Sequence, residues 1–162
     1  MNSKINHRLG LIIAILLPVG VGGLGGIATA SSVKTWYPTL KKPGWNPPGW
    51  VFGPVWTTLY VLMGVASWRV WQKQARSSRR ALVWYGFQLG LNGMWSILFF
   101  GLRQPGAAFA EVIVLWAAIL ATAIKFCRID RLAGALLVPY QLWVSFATAL
   151  NGVVWWLNRK QG

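Results

Sequence analysis

Acidic side chains are almost missing from this chain. Of 162 residues only Glu111 and Asp130 carry a side-chain carboxylate, and there is one histidine, His7, and one cysteine, Cys127. These shortages exclude much chemistry. A lone cysteine forms no internal disulfide, and with a lone histidine it cannot assemble a Cys/His zinc site. A carboxylate dyad would require Glu111 to meet Asp130. A Ser-His-Asp triad would have to recruit His7, close to the initiating Met1. No glycine-rich phosphate loop, haem-attachment motif or metal cluster occurs in the sequence, so no metal site is expected. Charge is also scarce: 11% of residues are charged, against ~25% in ordinary soluble domains.

What the chain has instead is apolar surface, basic charge and tryptophan. It is 56% hydrophobic, with 16 Lys and Arg, a formal charge of +14 and 12 Trp. Such a charge would ordinarily suggest nucleic acid as a partner. Here the basic residues fall between long apolar runs, which is how membrane proteins distribute them. Indole, apolar with one N–H donor, suits the water–lipid boundary and stacking on flat ligands. These features indicate a multi-pass integral membrane protein and no nucleic-acid partner.

A helix needs about 20 apolar residues to cross about 30 Å of hydrocarbon. Five segments qualify, at about 9–30, 51–71, 81–102, 107–126 and 132–157, with a Trp/Pro-rich loop at 31–50. Backbone polar groups in lipid must be satisfied within each segment, so an all-α bundle of five transmembrane helices, forming a single domain over 1–162, is expected. The first segment also reads as a signal peptide, because Lys4 and Arg8 precede a run ending Ala28-Thr29-Ala30. Its length and the Gly22/Gly26 pair, which would admit a neighbouring helix, favour retention. Ten Lys and Arg fall on the side of the N-terminus and six on the other, which predicts a cytoplasmic N-terminus.

Candidate ligand-binding residues form stripes. The loop runs from Trp36 and Tyr37 through Pro47 to Trp50, stiffened by four prolines that can hold rings in place, or simply anchor a connector at the interface. In the second segment Trp56 and Tyr60 stand one turn apart, with Pro54 expected in the first turn. The third carries Gln88, Asn92, Trp95 and Phe99, and its carboxamides should face the bundle interior, to bond a neighbouring helix or a ligand. The fifth carries Tyr140, Trp143, Phe146, Ala147 and Asn151, where the small Ala147 could leave a slot for a flat molecule. Three aromatic stripes with polar groups point to a shared pocket. Glu111 lies near a helix end and is expected to pair with Arg103, and Asp130 to serve as a loop charge or cap. Of the loop cations, Lys41 or Lys42 would meet a ligand carboxylate.

In order along the chain, Trp36-Tyr37, Lys42-Pro43, Pro47-Pro48, Phe52, Pro54-Val55-Trp56, Leu59-Tyr60, Gln88-Leu89, Leu91-Asn92, Trp95-Ser96, Phe99-Phe100, Pro139-Tyr140, Trp143, Phe146-Ala147 and Leu150-Asn151 resemble the tryptophan-rich sensory protein family (TspO/MBR). These are bacterial relatives of the mitochondrial translocator protein, the peripheral-type benzodiazepine receptor. The likeness covers roughly 35–158. It implies a five-helix bundle, often a homodimer, that binds porphyrins such as protoporphyrin IX or haem as ligands in a membrane sensory role, with no obligatory cofactor. Carried over by motif, Trp36, Tyr37, Trp56, Asn92, Trp143 and Ala147 would line the ligand. It also implies an alternative, light-dependent breakdown of protoporphyrin with Trp56 and Trp143 as the photochemical residues; conventional enzyme chemistry is not expected. A transporter or exchanger of porphyrins or other amphiphiles ranks below these, for want of repeats and paired intramembrane charges. The cholesterol-recognition tail of the animal proteins is not reproduced, because Leu150-Asn151-Gly152-Val153-Val154-Trp155-Trp156 lacks its tyrosine.

Overall fold

A computed structural model describes residues 2–159, with side chains from residue 7 onward. Lys160 and the side chain of Lys4, both counted in the charge bias, lie outside the described residues. Among the described residues the chain is all-helical and has no strand: α1 (Asn2–Thr35), α2 (Gly49–Gln72), α3 (Arg76–Ser96), α4 (Pro105–Ile129), the short α5 (Arg131–Ala135) and α6 (Val138–Asn158). A π-helical turn, Ile97–Gly101, continues α3, and a single 3-10 turn, Tyr37–Thr39, interrupts the loop after α1.

The helix boundaries follow local chemistry. Pro105 opens α4 and Pro139 lies in the first turn of α6, where a missing amide costs nothing. Asp130 is extended, ends α4 and caps α5, its Oδ1 accepting from the Ala133 amide at 3.0 Å. The same carboxylate takes Arg69 of α2 at 2.9 Å and Lys73 at 3.8 Å, so it is both cap and inter-helix tie. Burial alone would raise this carboxyl, but the bonds from Arg69 and the Ala133 amide, with the two nearby cations, outweigh it and hold it below the ordinary range.

Several sequence-based boundaries move. The first helix continues to Thr35, five residues past the expected end, because nothing in Ser31-Ser32-Val33-Lys34 breaks it. Pro54 is not in the first turn: α2 begins at Gly49, after Pro47-Pro48, which places Pro54 inside the helix. The expected last span is two helices, α5 and α6, separated at Leu136-Leu137.

Four segments are long and apolar enough to cross a membrane: His7–Thr35, Gly49–Gln72, Pro105–Ile129 and Arg131–Asn158. The fourth of these includes both α5 and α6. The α3 helix is not among them, because Arg76, Arg79, Arg80, Gln88 and Asn92 lower its apolar content.

The core is built from α2, α3, α4 and α6, around Met63, Leu89, Leu115, Ile119, Phe126, Tyr140 and Val144. The α1 helix lies outermost, with Leu16, Leu24 and Ile27 exposed, and packs on α2 and α3. Its approach depends on small residues. A Cβ on Gly64 would lie 2.5 Å from the Ile15 Cα, and one on Gly22 would strike the Tyr60 ring. The other half of the expected glycine pair does not take part: Gly26 faces open space. The up-and-down chain therefore gathers Arg69, Lys73, Asp130 and Arg131 at one end of the bundle, and the loop at the other.

Candidate aromatic ligand site

At the loop end, residues from α2, α3 with its π-helical turn, α4, α6 and the loop form a continuous aromatic and polar cluster. Its centre is Asn92 on α3. The Tyr60 hydroxyl donates to Asn92 Oδ1 at 3.0 Å, and Asn92 Nδ2 donates to the Tyr140 hydroxyl oxygen at 3.0 Å. One carboxamide thus joins α2, α3 and α6. Both Asn92 and Tyr140 are buried, so this is an interior node. Trp56 stacks on Tyr60 with ring centres 5.4 Å apart and meets Tyr140 edge-on at 6.2 Å.

A second group sits under the loop. Trp95 stacks on Phe99 at 5.2 Å, and Trp36 and Tyr37 pack on Phe99 at 5.8 and 6.2 Å. The Trp95 indole donates to Asn151 Oδ1, whose amide in turn donates to the Pro105 carbonyl, so this group is tied to α6 and to the start of α4. The π-helical turn closes with the Leu102 amide donating to the Ile97 carbonyl at 2.7 Å. It presents Phe99 and Phe100 together to Tyr37. Such wide turns recur at functional sites.

A third group is made by Trp143 and Phe146 of α6. Phe52 packs edge-on against Trp143 at 5.9 Å, and Trp45 of the loop against Phe146 at 5.7 Å. Trp95 packs against both hydrophobic clusters of the protein, which makes the groups continuous. The half-buried Ala147 follows Phe146 on α6. Pro47 is half-buried in the loop, its carbonyl accepting from the Asn46 side chain.

The loop is held from within. Tyr37 donates to Asn46 Oδ1 at 2.9 Å, and burial raises its phenol above the ordinary value, so it stays a neutral donor. Asn158 brackets residue 41, accepting from the Lys41 amide and donating to the Lys41 carbonyl. Lys42 is committed to the loop: its ammonium donates to the carbonyls of Tyr37 at 2.8 Å and Leu40 at 3.0 Å and lies over the Tyr37 ring. Of the two cations expected to meet a ligand carboxylate, the exposed Lys41 is the one positioned toward solvent.

Two polar residues depart from expectation. Glu111 does not pair with Arg103. The 3–4 spacing of Ala108, Glu111, Val112 and Leu115 puts it on the buried face of α4, at 8% exposure, and neither carboxylate oxygen has a partner among the described residues. Arg103 adopts a left-handed backbone, φ 55°, and its Nε donates toward Ser32 of α1 at 3.4 Å. Gln88 is buried on α3, and neither of its polar atoms makes the inter-helix bond that was one of the two roles open to it. The residues that sequence reasoning left out of the site are Trp45, Asn46, Phe52, Phe100 and Asn158. Phe52 and Phe100 stood in the quoted motifs, whereas nothing in the sequence signals the long-range bracket from Asn158.

Comparison with known proteins places these features in a wider group. The model of the TspO/MBR family matches residues 14–157. A tryptophan-rich protein TspO from Archaeoglobus fulgidus is 41% identical over 150 residues, covering 93% of this chain and 97% of that protein. A tryptophan-rich sensory protein from Cereibacter sphaeroides is 46% identical over 116 residues, covering 72% of each. The human translocator protein is 43% identical over 123 residues, covering 74% of this chain and 73% of its own.

Proposed function

The chain belongs to the TspO/MBR family, and from that premise we propose that it binds a flat tetrapyrrole, protoporphyrin IX or haem, in the aromatic cluster at the loop end and acts as a membrane sensor of it. The observation that carries this reading is the Tyr60–Asn92–Tyr140 node with Trp56 stacked on it and Trp143 in the adjoining group. A porphyrin has a large apolar π-face and anionic propionates. Indole and phenol faces bury the first, exchanging ring–ring for ring–ligand contact. The carboxamide and hydroxyls fix its orientation, and Lys41 meets a propionate at the rim.

The same reading takes the protein to be a five-span bundle. The composition of α3 is too polar by itself, but its arrangement suits lipid. Ser78, Tyr85, Gln88 and Asn92 face inward, whereas Val83, Trp84, Phe87, Met94 and Ile97 face outward. Polar groups inside and apolar groups outside is the order that hydrocarbon requires. The charge bias supports a cytoplasmic N-terminus, and family membership supports a homodimer, which the mass of the protein in nanodiscs would test.

Titrating protoporphyrin IX into the purified protein is expected to quench tryptophan emission saturably, and Trp143→Phe to weaken the quenching more than Trp71→Phe, which lies at the other end. Unchanged emission at micromolar porphyrin would remove the binding reading; equal effects of the two variants would remove the site.

One observation favours a second reading. Trp56, Tyr60 and Tyr140 form a contiguous path of redox-active rings, with centres 5.4 and 6.2 Å apart. Such a path could yield an electron to an excited porphyrin, which passes it to dioxygen as superoxide. The hole left on the rings then oxidises the porphyrin, whose cation combines with superoxide to an oxygenated product. The rings are thereby restored and the porphyrin is consumed. Under illumination the Soret band should then fall in the native protein and persist in Trp56→Phe.

A further inference from the structure

At the opposite end of the bundle, three observations meet at the turn between α2 and α3. The first is a cavity of about 630 Å³ lined by Trp71, Gln74, Arg76, Ser78, Arg79 and Leu82, with Ala75 and Val83. The second is the charge at its rim. Ala75, the N-cap of α3, offers no side-chain acceptor, and the first turn holds no acid. The leading amides of a helix form its positive end. Here the Ser78 amide already donates to the Ala75 carbonyl at 2.9 Å, which leaves the Arg76 and Ser77 amides ahead of it uncapped. Arg76 and Arg79 add like charge there, the reverse of the usual arrangement. No carboxylate offsets them: Asp130 is held by Arg69 and Lys73, and Glu111 is buried on α4. The third is Ser78, which lines the cavity at 3% exposure. Its hydroxyl has no hydrogen-bond partner among the described residues. A buried hydroxyl, uncapped amides and two guanidinium groups around one hollow lack a single thing, an anion with several acceptor oxygens.

The remaining wall says what is attached to that anion. The Trp71 ring is seated against α1 at Gly10, where a Cβ would lie 3.0 Å from it. Leu82 and the exposed Val83 continue the cavity into the apolar outer surface of α3. Basic pockets between membrane helices at the cytoplasmic side take phospholipid headgroups. We propose that this cavity is a phosphate site for the headgroup of an anionic phospholipid. Arg76, Arg79, the leading amides of α3 and the Ser78 hydroxyl receive the phosphate oxygens, and Trp71 and Leu82 flank the acyl chains. It is separate from the aromatic site and does not depend on the tetrapyrrole reading.

The test is the thermal unfolding midpoint of the detergent-solubilised protein titrated with short-chain phosphatidylglycerol, with phosphatidylcholine and inorganic phosphate in parallel. Phosphatidylglycerol is expected to raise the midpoint saturably, and phosphatidylcholine not to. Arg76→Gln/Arg79→Gln should weaken the apparent affinity about tenfold or more, and Ser78→Ala about threefold, as expected for lost bonds to a charged group. Arg128→Gln/Arg131→Gln removes the same charge from the same end, at exposed residues that do not line the cavity. It should stay within about twofold, the effect expected of solvent-screened charges without a direct bond. Inorganic phosphate acting with the same variant dependence would support the phosphate site and assign it to the soluble ion. Equal responses of the two double variants would mean a diffuse basic surface and overturn the proposal, as would a Ser78→Ala response indistinguishable from the native one. Should the Arg76→Gln/Arg79→Gln protein not fold, Arg79→Gln with Ser78→Ala carries the same comparison.

Discussion

Asn92 sits where three helices exchange hydrogen bonds, and its value depends on both of its polar atoms. Each is used once, Oδ1 as acceptor from Tyr60 and Nδ2 as donor to Tyr140. Asn92→Leu would strand the Tyr140 hydroxyl, which is fully buried. An orphaned buried hydroxyl costs about 1–3 kcal/mol, so thermal unfolding of Asn92→Leu should come several degrees lower and porphyrin quenching should weaken. Asn92→Asp keeps an acceptor for Tyr60 and should retain more stability than Asn92→Leu. The inward direction of this residue was legible from the cost of a carboxamide in lipid. Its partners were not, because residues separated by 32 and 48 positions are brought together only by helix packing. Glu111 shows the limit from the other side: its position near a helix end suggested a pair with Arg103, and the phase of α4 turned it inward instead.

Helices in this protein approach closely where one side chain is missing. Gly22 leaves room for the ring of Tyr60, so Gly22→Leu should displace it, disturb the bond to Asn92 and destabilise the bundle by about 1–3 kcal/mol. Gly26→Leu, one turn away on the open face, should leave the unfolding midpoint unchanged. Sequence spacing treats the two glycines alike, because nothing in the spacing shows which face of α1 meets α2. Asp130 ties α2 to the α4–α5 corner. Its carboxyl lies below the ordinary value of 3.8 in the folded protein, so its contribution is complete above that pH. The contribution disappears as pH falls through the lower folded value. Unfolding midpoints of native protein and Asp130→Asn should therefore stand furthest apart above pH 3.8 and draw together as the pH falls below it. The cap at Asp130 was readable from residue type. The π-helical turn was not, since Ile97-Leu98-Phe99-Phe100-Gly101 carries no breaker.

Across the whole molecule, the two ends differ in kind. One is aromatic and covered by a loop that is fastened by Asn158, and the other is basic, with a cavity at the α2–α3 turn. With a cytoplasmic N-terminus, the single thiol of Cys127, which is exposed at the basic end, faces the cytoplasm. A membrane-impermeant maleimide should label it in inside-out vesicles and not in intact cells. Lys41→Cys in a Cys127→Ser background should show the reverse. Labelling of both from one side would refute the opposed placement of the two ends.

Hydropathy, the near absence of acid and the proline and tryptophan motifs by themselves determined that this is a helical protein built for membrane, with aromatic stripes on particular helices. Those properties are additive along the chain, and each residue contributes whatever its neighbours in space are. Tertiary structure alone decided that Asn92 would join Tyr60 to Tyr140, that Lys42 would be spent within the loop, that Glu111 would be buried without Arg103, and that Ser78 would sit unpartnered beside two arginines. Each depends on the rotation of one helix against another, which is set by side-chain fit across the interface rather than by the order of residues within a segment.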